Sequence, residues 1–364
     1  LIDSTFWKGK QVFVTGHTGF KGAWICLWLQ AMGAEVTGYA LQPSTSPSLY
    51  ELCGLSSSMN SIIGDIRDRP KLQQAIMASN PDIVIHMAAQ PIVRESYQYP
   101  VETYEINVLG TVYLLESIRH AVQLGAKIKA IVNVTSDKSY ENKEWHWGYR
   151  EDDTLGGYDP YSNSKACSEM VTSAYRNSFF NPSDYQTHGV SLASVRAGNV
   201  IGGGDWAPDR LVPDCIRSLM KGDKIIIRNS TAIRPWQHVL EPLYGYLLLA
   251  KSLYEKGPVY AQSWNFGPED QDVRTVEWVV KELLSHWEGS FEIASSGGEQ
   301  PHEAKLLKLD CSKAKAELSW YPKWRVEKAI SLIVEWTRGF MADEDVKEIC
   351  LKQIKQYEDT DACI

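Results

Sequence analysis

The chain has 364 residues, 44% of them apolar and 23% charged, close to the averages of soluble globular proteins. Lys and Arg total 37 against 45 Asp and Glu, a formal charge of −8. That balance excludes nucleic acid as the main partner, because a phosphate backbone needs net or clustered positive charge, but it leaves room for a small phosphorylated ligand.

In chain order, Gln11–Thr15 (QVFVT) predicts a short strand, followed by a glycine loop and an apolar-periodic helix over Gly22–Met32. Further strands are expected at Val36–Ala40, Ser61–Gly64, Asp82–His86 and Ile128–Val134. The last is almost continuously apolar and β-branched, as a strand covered on both faces should be. Helices are expected over Lys71–Ala78, Val101–Leu124 and Tyr161–Phe179. Such alternation implies an α/β, doubly wound parallel sheet of the Rossmann type. After about Ala197 the sequence becomes dense in Gly, Pro, Asp and Trp. We therefore expect a dinucleotide-binding domain with the catalytic residues over 1–196. A smaller substrate-binding lobe follows over 197–340, then an acidic, solvated tail over 341–364. Ser263–Gly267 is a candidate to return a strand to the main sheet.

The seven cysteines (Cys26, Cys53, Cys167, Cys215, Cys311, Cys350 and Cys363) are scattered, without a C-x-x-C pair or a Cys/His cluster. Neither a metal site nor a disulfide framework is expected, and reduced thiols suit a cytoplasmic protein. No leader-like segment opens the chain and no apolar run approaches a membrane span, so no membrane partner is expected.

Gly16-His17-Thr18-Gly19-Phe20-Lys21-Gly22 is G-x-x-G-x-x-G between a predicted strand and a predicted helix. Glycines there let the backbone turn tightly and approach a diphosphate at the helix N-terminus. Gly16, Thr18, Gly19, Phe20 and Gly22 are the candidate cofactor loop. An acid for the adenosine ribose is missing at the end of the second strand (Ala40-Leu41-Gln42-Pro43), and no Arg stands there for a 2′-phosphate. NAD is favoured over NADP. Asp65 and Ile66, after the third strand, are candidates for the adenine; Asp65 serves equally well as a loop cap. Ala88 and Ala89 are small residues at a strand's carboxyl end, where ligands bind in such sheets.

Tyr161-Ser162-Asn163-Ser164-Lys165 is Y-x-x-x-K, which places both side chains on one helix face. A nearby ammonium favours phenolate over phenol, so the pair can remove a hydroxyl proton while hydride leaves for a nicotinamide. With the glycine loop and a strand ending in Thr135-Ser136, the chain resembles the extended short-chain dehydrogenase/reductase family. That resemblance implies that Ser136 hydrogen-bonds the reacting hydroxyl and that Lys165 also holds the nicotinamide ribose.

Asp137 and Lys138 narrow the chemistry. Within the family, nucleotide-sugar 4,6-dehydratases need an acid and a base here, Asp–Glu in the dTDP-glucose enzymes; Asp137–Lys138 resembles the CDP-glucose branch. Lys138 is read either as the carbon 5 base, which requires an unprotonated amine, or as a group that only positions Asp137 or the sugar. Ser194–Trp206 and Ile233–Val239 resemble sugar-nucleotide-binding segments, which implies that Asn199 and Arg234 contact the diphosphate, with Arg210 and Arg228 nearby. Arginine suits that task through its planar fork of donors. His302-Glu303 and Leu309–Lys313 match the family's closing region, and Tyr140, Trp145, Trp147 and Trp206 could shape the sugar pocket. The expected partner is a CDP-glucose-like substrate. The helices over Val101–Leu124 and Tyr161–Phe179 correspond to those that pair in the family's homodimers. An epimerase or reductase of the same family, or a non-catalytic dinucleotide sensor, remains an alternative.

Overall fold

The computed structural model describes residues 3–293 and 306–361. Its centre is a parallel sheet of seven strands: β1 (Gln11–Thr15), β2 (Glu35–Ala40), β3 (Asn60–Ile63), β4 (Ile83–His86), β5 (Ala130–Val134), β6 (Ser191–Ala197) and β10 (Ser263–Phe266). They lie in the order β10-β6-β5-β4-β1-β2-β3. Chain order reverses between β1 and β4, and a crevice for ligands opens there, beyond the carboxyl ends of the strands.

Alternation along the strands builds two cores. Val12, Val14, Ile83, Ile85, Ala130 and Val132 face one side, against α1 (Phe20–Ala31) and α6 (Leu240–Lys256). Phe13, Val84, Ile131 and Leu192 face the other, against α2 (Arg69–Ser79), α3 (Gly110–Gln123) and α4 (Pro160–Ser178). A sheet buried on both faces needs nearly continuous apolar strands, and these sequences supply them.

The remaining elements form a smaller layer over the strand ends. β7 (Asn199–Ile201) and β11 (Val273–Thr275) pair on either side of β9 (Ile233–His238), and β8 (Ile225–Ile227) pairs with β12 (Phe291–Ile293). With α5 (Leu211–Lys221), α7 (Val276–His286) and α8 (Val326–Met341) they enclose a third core.

Two expectations change, at the helix before α3 and in the tail. The helix expected over Val101–Leu124 is broken: a short helix at Pro100–Tyr104 passes through one π turn at Glu105–Leu109 before α3 begins. The boundary near 197 is crossed twice, because β10 pairs with β6 and α6 packs on the main sheet. The acidic tail is not a solvated helix. In α9 (Val346–Asp359), Val346, Ile349, Cys350, Gln353, Ile354 and Tyr357 are buried, and Trp28 of α1 donates to Glu358 at 2.7 Å.

Candidate active site

The glycine loop divides by function. Gly16 has φ +77, and a Cβ there would lie 2.8 Å from the Ala88 nitrogen; at Gly22 a Cβ would lie 2.0 Å from the Gly16 carbonyl oxygen. Those two glycines let the chain pack against itself. Gly19 is different: its nearest neighbour to an added Cβ is the Gly16 oxygen at 3.4 Å, an ordinary contact. Nothing in the chain demands a glycine there. Gly19 is also the N-cap of α1, with no side-chain cap and no acid in the first turn, so the helix N-terminus is open to an anion. The residues fit a dinucleotide diphosphate.

The side chains around this loop are already engaged. Thr18 Oγ1 donates to the Leu41 carbonyl at 2.9 Å, and Phe20 packs against Gly202 and the main core. Ile66 is buried against Gly110. These three can meet a cofactor through backbone rather than through free side chains. Asp65 accepts from the Arg67 guanidinium at 2.7 and 3.0 Å and from its backbone N–H at 2.8 Å, so it caps its own loop. Arg67 holds the Asp65 carboxyl below the usual range. Ala88 and Ala89 follow β4 directly, and the Ala88 N–H donates to Thr15 Oγ1 at 3.1 Å.

The catalytic candidates converge at the ends of β5 and α4. Asp159 caps α4 by accepting from the Ser162 N–H at 2.9 Å, and Pro160 opens the first turn; both are strong start signals. Tyr161 and Lys165 share the inner face and are buried. Ser136 acts on the Tyr161 phenol, favouring its ionised form. Burial pushes Tyr161 up to about 12, with Ser136 and Arg210 opposing. Lys165 is pulled down to about 8 by burial, against Glu169, and its Nζ donates to the Val134 carbonyl at 3.3 Å. The Lys165 ammonium is thus bonded to a carbonyl, and burial is the largest influence on the phenol.

Asp137 and Lys138 lie in a single 3₁₀ turn, Asp137–Ser139, directly after β5. Asp137 is buried; burial raises its pKa, opposed by Lys138, Ser136 and Arg234. Its Oδ1 accepts from Ser136 at 3.0 Å, while Oδ2 is buried without a partner. Gly198 leaves that oxygen space, since a Cβ there would lie 3.1 Å from it. A buried carboxyl with a raised pKa and an unfilled valence is equipped to donate a proton.

The arginines stand on the opposite wall. Arg234, on β9, is buried and acts electrostatically on Asp137. Arg210 pairs with Asp205 at 3.1 Å yet still influences Tyr161 and Lys21. Arg228 lies farther out, bonded to Asp209 at 3.0 Å and near Asp214 at 3.9 Å. Asn199 begins β7 opposite Trp236. Among the aromatic candidates, half-buried Trp206 packs on Trp336 and Phe340, and Tyr140 is buried. Trp145 and Trp147 stack on each other at 5.0 Å, with Trp147 exposed. Leu309 bridges to Tyr149; His302 and Glu303 lie outside the described residues.

The family described as GDP-mannose 4,6 dehydratase matches residues 13–333 of this chain. The chain belongs to the GDP-mannose 4,6 dehydratase family. Among curated relatives, a CDP-glucose 4,6-dehydratase of Salmonella typhimurium is 55% identical over 357 residues, 98% of each chain. A dTDP-glucose 4,6-dehydratase of Streptomyces antibioticus is 27% identical over 76% of this chain and 75% of that one. The fold matches a Streptomyces venezuelae dTDP-glucose 4,6-dehydratase, solved with NAD bound, at TM-score 0.75 and 23% identity, covering 92% of this chain and 99% of that one.

In this member of the GDP-mannose 4,6 dehydratase family, two further side chains stand at the site. Lys21 is half-buried in the first turn of α1, donates to the Tyr246 hydroxyl at 3.0 Å, and is pulled down to about 7 by desolvation, with Lys165 and Arg210 reinforcing. A cation in the first turn opposes the helix dipole. That mismatch inside the glycine motif was the available signal for Lys21; Tyr246, on α6, had none.

Proposed function

We propose that this chain is an NAD-dependent CDP-glucose 4,6-dehydratase, a hydro-lyase that converts CDP-D-glucose to CDP-4-dehydro-6-deoxy-D-glucose and water. The overall change is redox-neutral: carbon 4 is oxidised, water leaves across carbons 5 and 6, and hydride returns to carbon 6 as a solvent-exchanged proton returns to carbon 5. When bound, NAD supplies the hydride acceptor and donor, and a positive charge that favours phenolate.

The chain's own residues divide that work. Tyr161 takes the proton of the carbon 4 hydroxyl, Ser136 orients that hydroxyl, and Lys165 stabilises the phenolate. Oxidation at carbon 4 acidifies the carbon 5 proton, which Lys138 removes. Asp137 protonates the departing carbon 6 hydroxyl. Arg234, Arg210, Arg228 and Asn199 hold the diphosphate, and the Gly16–Gly22 loop, with Ala88 and Ala89, holds the cofactor.

The observation that carries the reading is the buried, half-partnered Asp137 carboxyl beside Lys138 and within the same cluster as Ser136 and Tyr161. A 4-epimerase or reductase needs only the latter pair with Lys165, and a sensor needs none of them. The 55% identity to a CDP-glucose 4,6-dehydratase supports the choice of nucleotide. Incubation with NAD and CDP-, dTDP-, UDP- or GDP-hexoses in deuterated water tests it. We expect a 4-keto-6-deoxy product from CDP-glucose, labelled at carbon 5. A 4-epimer without label overturns the assignment.

This reaction takes place in the cytoplasm and supplies a deoxysugar for a cell-surface polysaccharide. Two chains pair through the faces of α4 and the segment before α3, where Met170 (54% exposed) and Val101 (71%) present apolar side chains to solvent. Light scattering at twice the chain mass is the expected result.

A further inference from the structure

The two halves of the proposed reaction are mounted on different supports. Tyr161 and Lys165 are aimed by α4, a nineteen-residue helix with its own N-cap. Asp137 and Lys138 have only a three-residue turn. Ser136 fixes its upstream end, its Oγ accepting from the Lys138 N–H at 3.2 Å. The downstream end is Tyr140, whose side chain is 1% exposed.

Tyr140 is held from every side. Its hydroxyl accepts from Arg196 at 2.6 Å and donates to Asn265 Oδ1 at 2.9 Å. The Arg196 guanidinium lies 4.7 Å from its ring centroid, and Tyr149 stacks on it at 5.1 Å and 20°. Arg196 is fixed in turn by Glu169, which accepts at 2.9 and 3.1 Å; each side chain is 2% exposed. A buried charge pair of this kind tolerates little displacement, because either ion left unpaired costs several kcal/mol. Asn265 is tied as well, its Nδ2 donating to the Tyr149 carbonyl at 2.9 Å and the Asp310 carbonyl at 3.1 Å. The Tyr140 hydroxyl therefore fits between a donor and an acceptor that are themselves immobile. The next residues are sewn down too, with the Glu141 N–H bonded to the Thr154 carbonyl and the Gly156 N–H to the Ser139 carbonyl, both at 2.9 Å.

We propose that Tyr140 is the positioning residue of the elimination step: anchored by Arg196 and Asn265, it holds the Asp137–Lys138 turn in register while touching no substrate. This rests on the dehydratase reading. The oxidation step does not rest on the Tyr140 hydroxyl, because Tyr161 stands in the first turn of α4, which is fixed by its own cap at Asp159.

Tyr140→Phe keeps the stacked ring and removes both hydroxyl bonds. Mixed with CDP-glucose, the NAD-loaded variant should develop the near-ultraviolet absorbance of reduced nicotinamide at close to the wild-type rate, then lose it about tenfold more slowly, the scale expected of a sub-ångström misplacement. Deuterium uptake at carbon 5 should slow by the same factor, with KM nearly unchanged and the melting temperature lowered by a few degrees because two buried partners lose a bond. Lys138→Met should give the same signature more strongly. A parallel slowing of both halves, or a rise in KM with kcat unchanged, makes Tyr140 a packing residue only; unchanged decay and exchange also overturn the proposal. If the wild-type enzyme gives no absorbance change with CDP-glucose, the functional assignment fails instead. The same comparison on whichever hexose nucleotide the panel identifies then decides the role of Tyr140.

Discussion

The floor of the site and its arginine wall are built on opposite principles. On the floor, Ser136, Asp137, Tyr161 and Lys165 are all buried. Burial is the largest influence on the protonation of the last three. On the outer wall, Arg210 and Arg228 are a third or more exposed and already satisfied by carboxylates at 3.1 and 3.0 Å. The floor has its chemistry set before substrate arrives, because oriented groups in a dry site need no reorganisation. The outer wall is paired rather than preset: under the proposed function each arginine exchanges a carboxylate for a phosphate. Buried Arg234 belongs to the wall by position and to the floor by character.

The comparison predicts that changes on the floor are far costlier. Tyr161→Phe leaves the fold intact and removes the general base, so kcat should fall about 10²–10⁴-fold with little change in KM. Single-turnover measurement of carbon 4 oxidation checks this; a loss confined to KM would place Tyr161 on the binding side. A smaller effect comes from pH. With Lys165 at about 8 and Tyr161 at about 12, raising the pH past 8 removes the ammonium long before phenolate forms unaided. The oxidation rate should therefore rise about tenfold per unit up to pH 8 and level off above it, where each unit gains phenolate and loses ammonium equally. A rate that keeps rising to pH 10 would show that the phenolate acts without the lysine's charge.

The floor was also the more legible region. Strand–glycine loop–helix and Y-x-x-x-K are local patterns whose spacing dictates which atoms meet, and Gly16–Gly22 and Tyr161–Lys165 fold as read. Ser263–Phe266 joins β6 as a parallel strand, as the run SWNFG suggested. What escaped was long-range. The π turn at Glu105–Leu109 serves Asn107, which bonds the Gln90 N–H at 2.9 Å and Ser164 at 2.9 Å; helical periodicity is blind to such partners. In the tail, the count of acids hid an apolar stripe at Val346, Ile349, Cys350, Ile354 and Tyr357, regular enough to announce a docked helix. Arg196 and Glu169 look like surface charges in sequence, and only the fold brings them together. The arginine wall was legible in type alone, since nothing in the sequence reveals that Asp205, Asp209 and Asp214 already occupy its donors.

That occupancy yields the smallest prediction and the sharpest one for the wall. A diphosphate that reaches Arg228 must displace Asp209, so Asp209 competes with substrate. Asp209→Asn removes the charge while keeping a residue that tolerates φ +59, and it disturbs no buried contact. An exposed ion pair is worth about 0.2–1 kcal/mol, so CDP should bind about two- to fivefold more tightly. Salt screens the competition along with the pair, and the gain should shrink as ionic strength rises. Cytidine, which lacks the phosphates, should bind wild type and variant alike. Titration calorimetry with both ligands at two salt concentrations measures all three effects. Weaker CDP binding in the variant would instead make Asp209 a brace that orients Arg228, and the wall would be as preset as the floor.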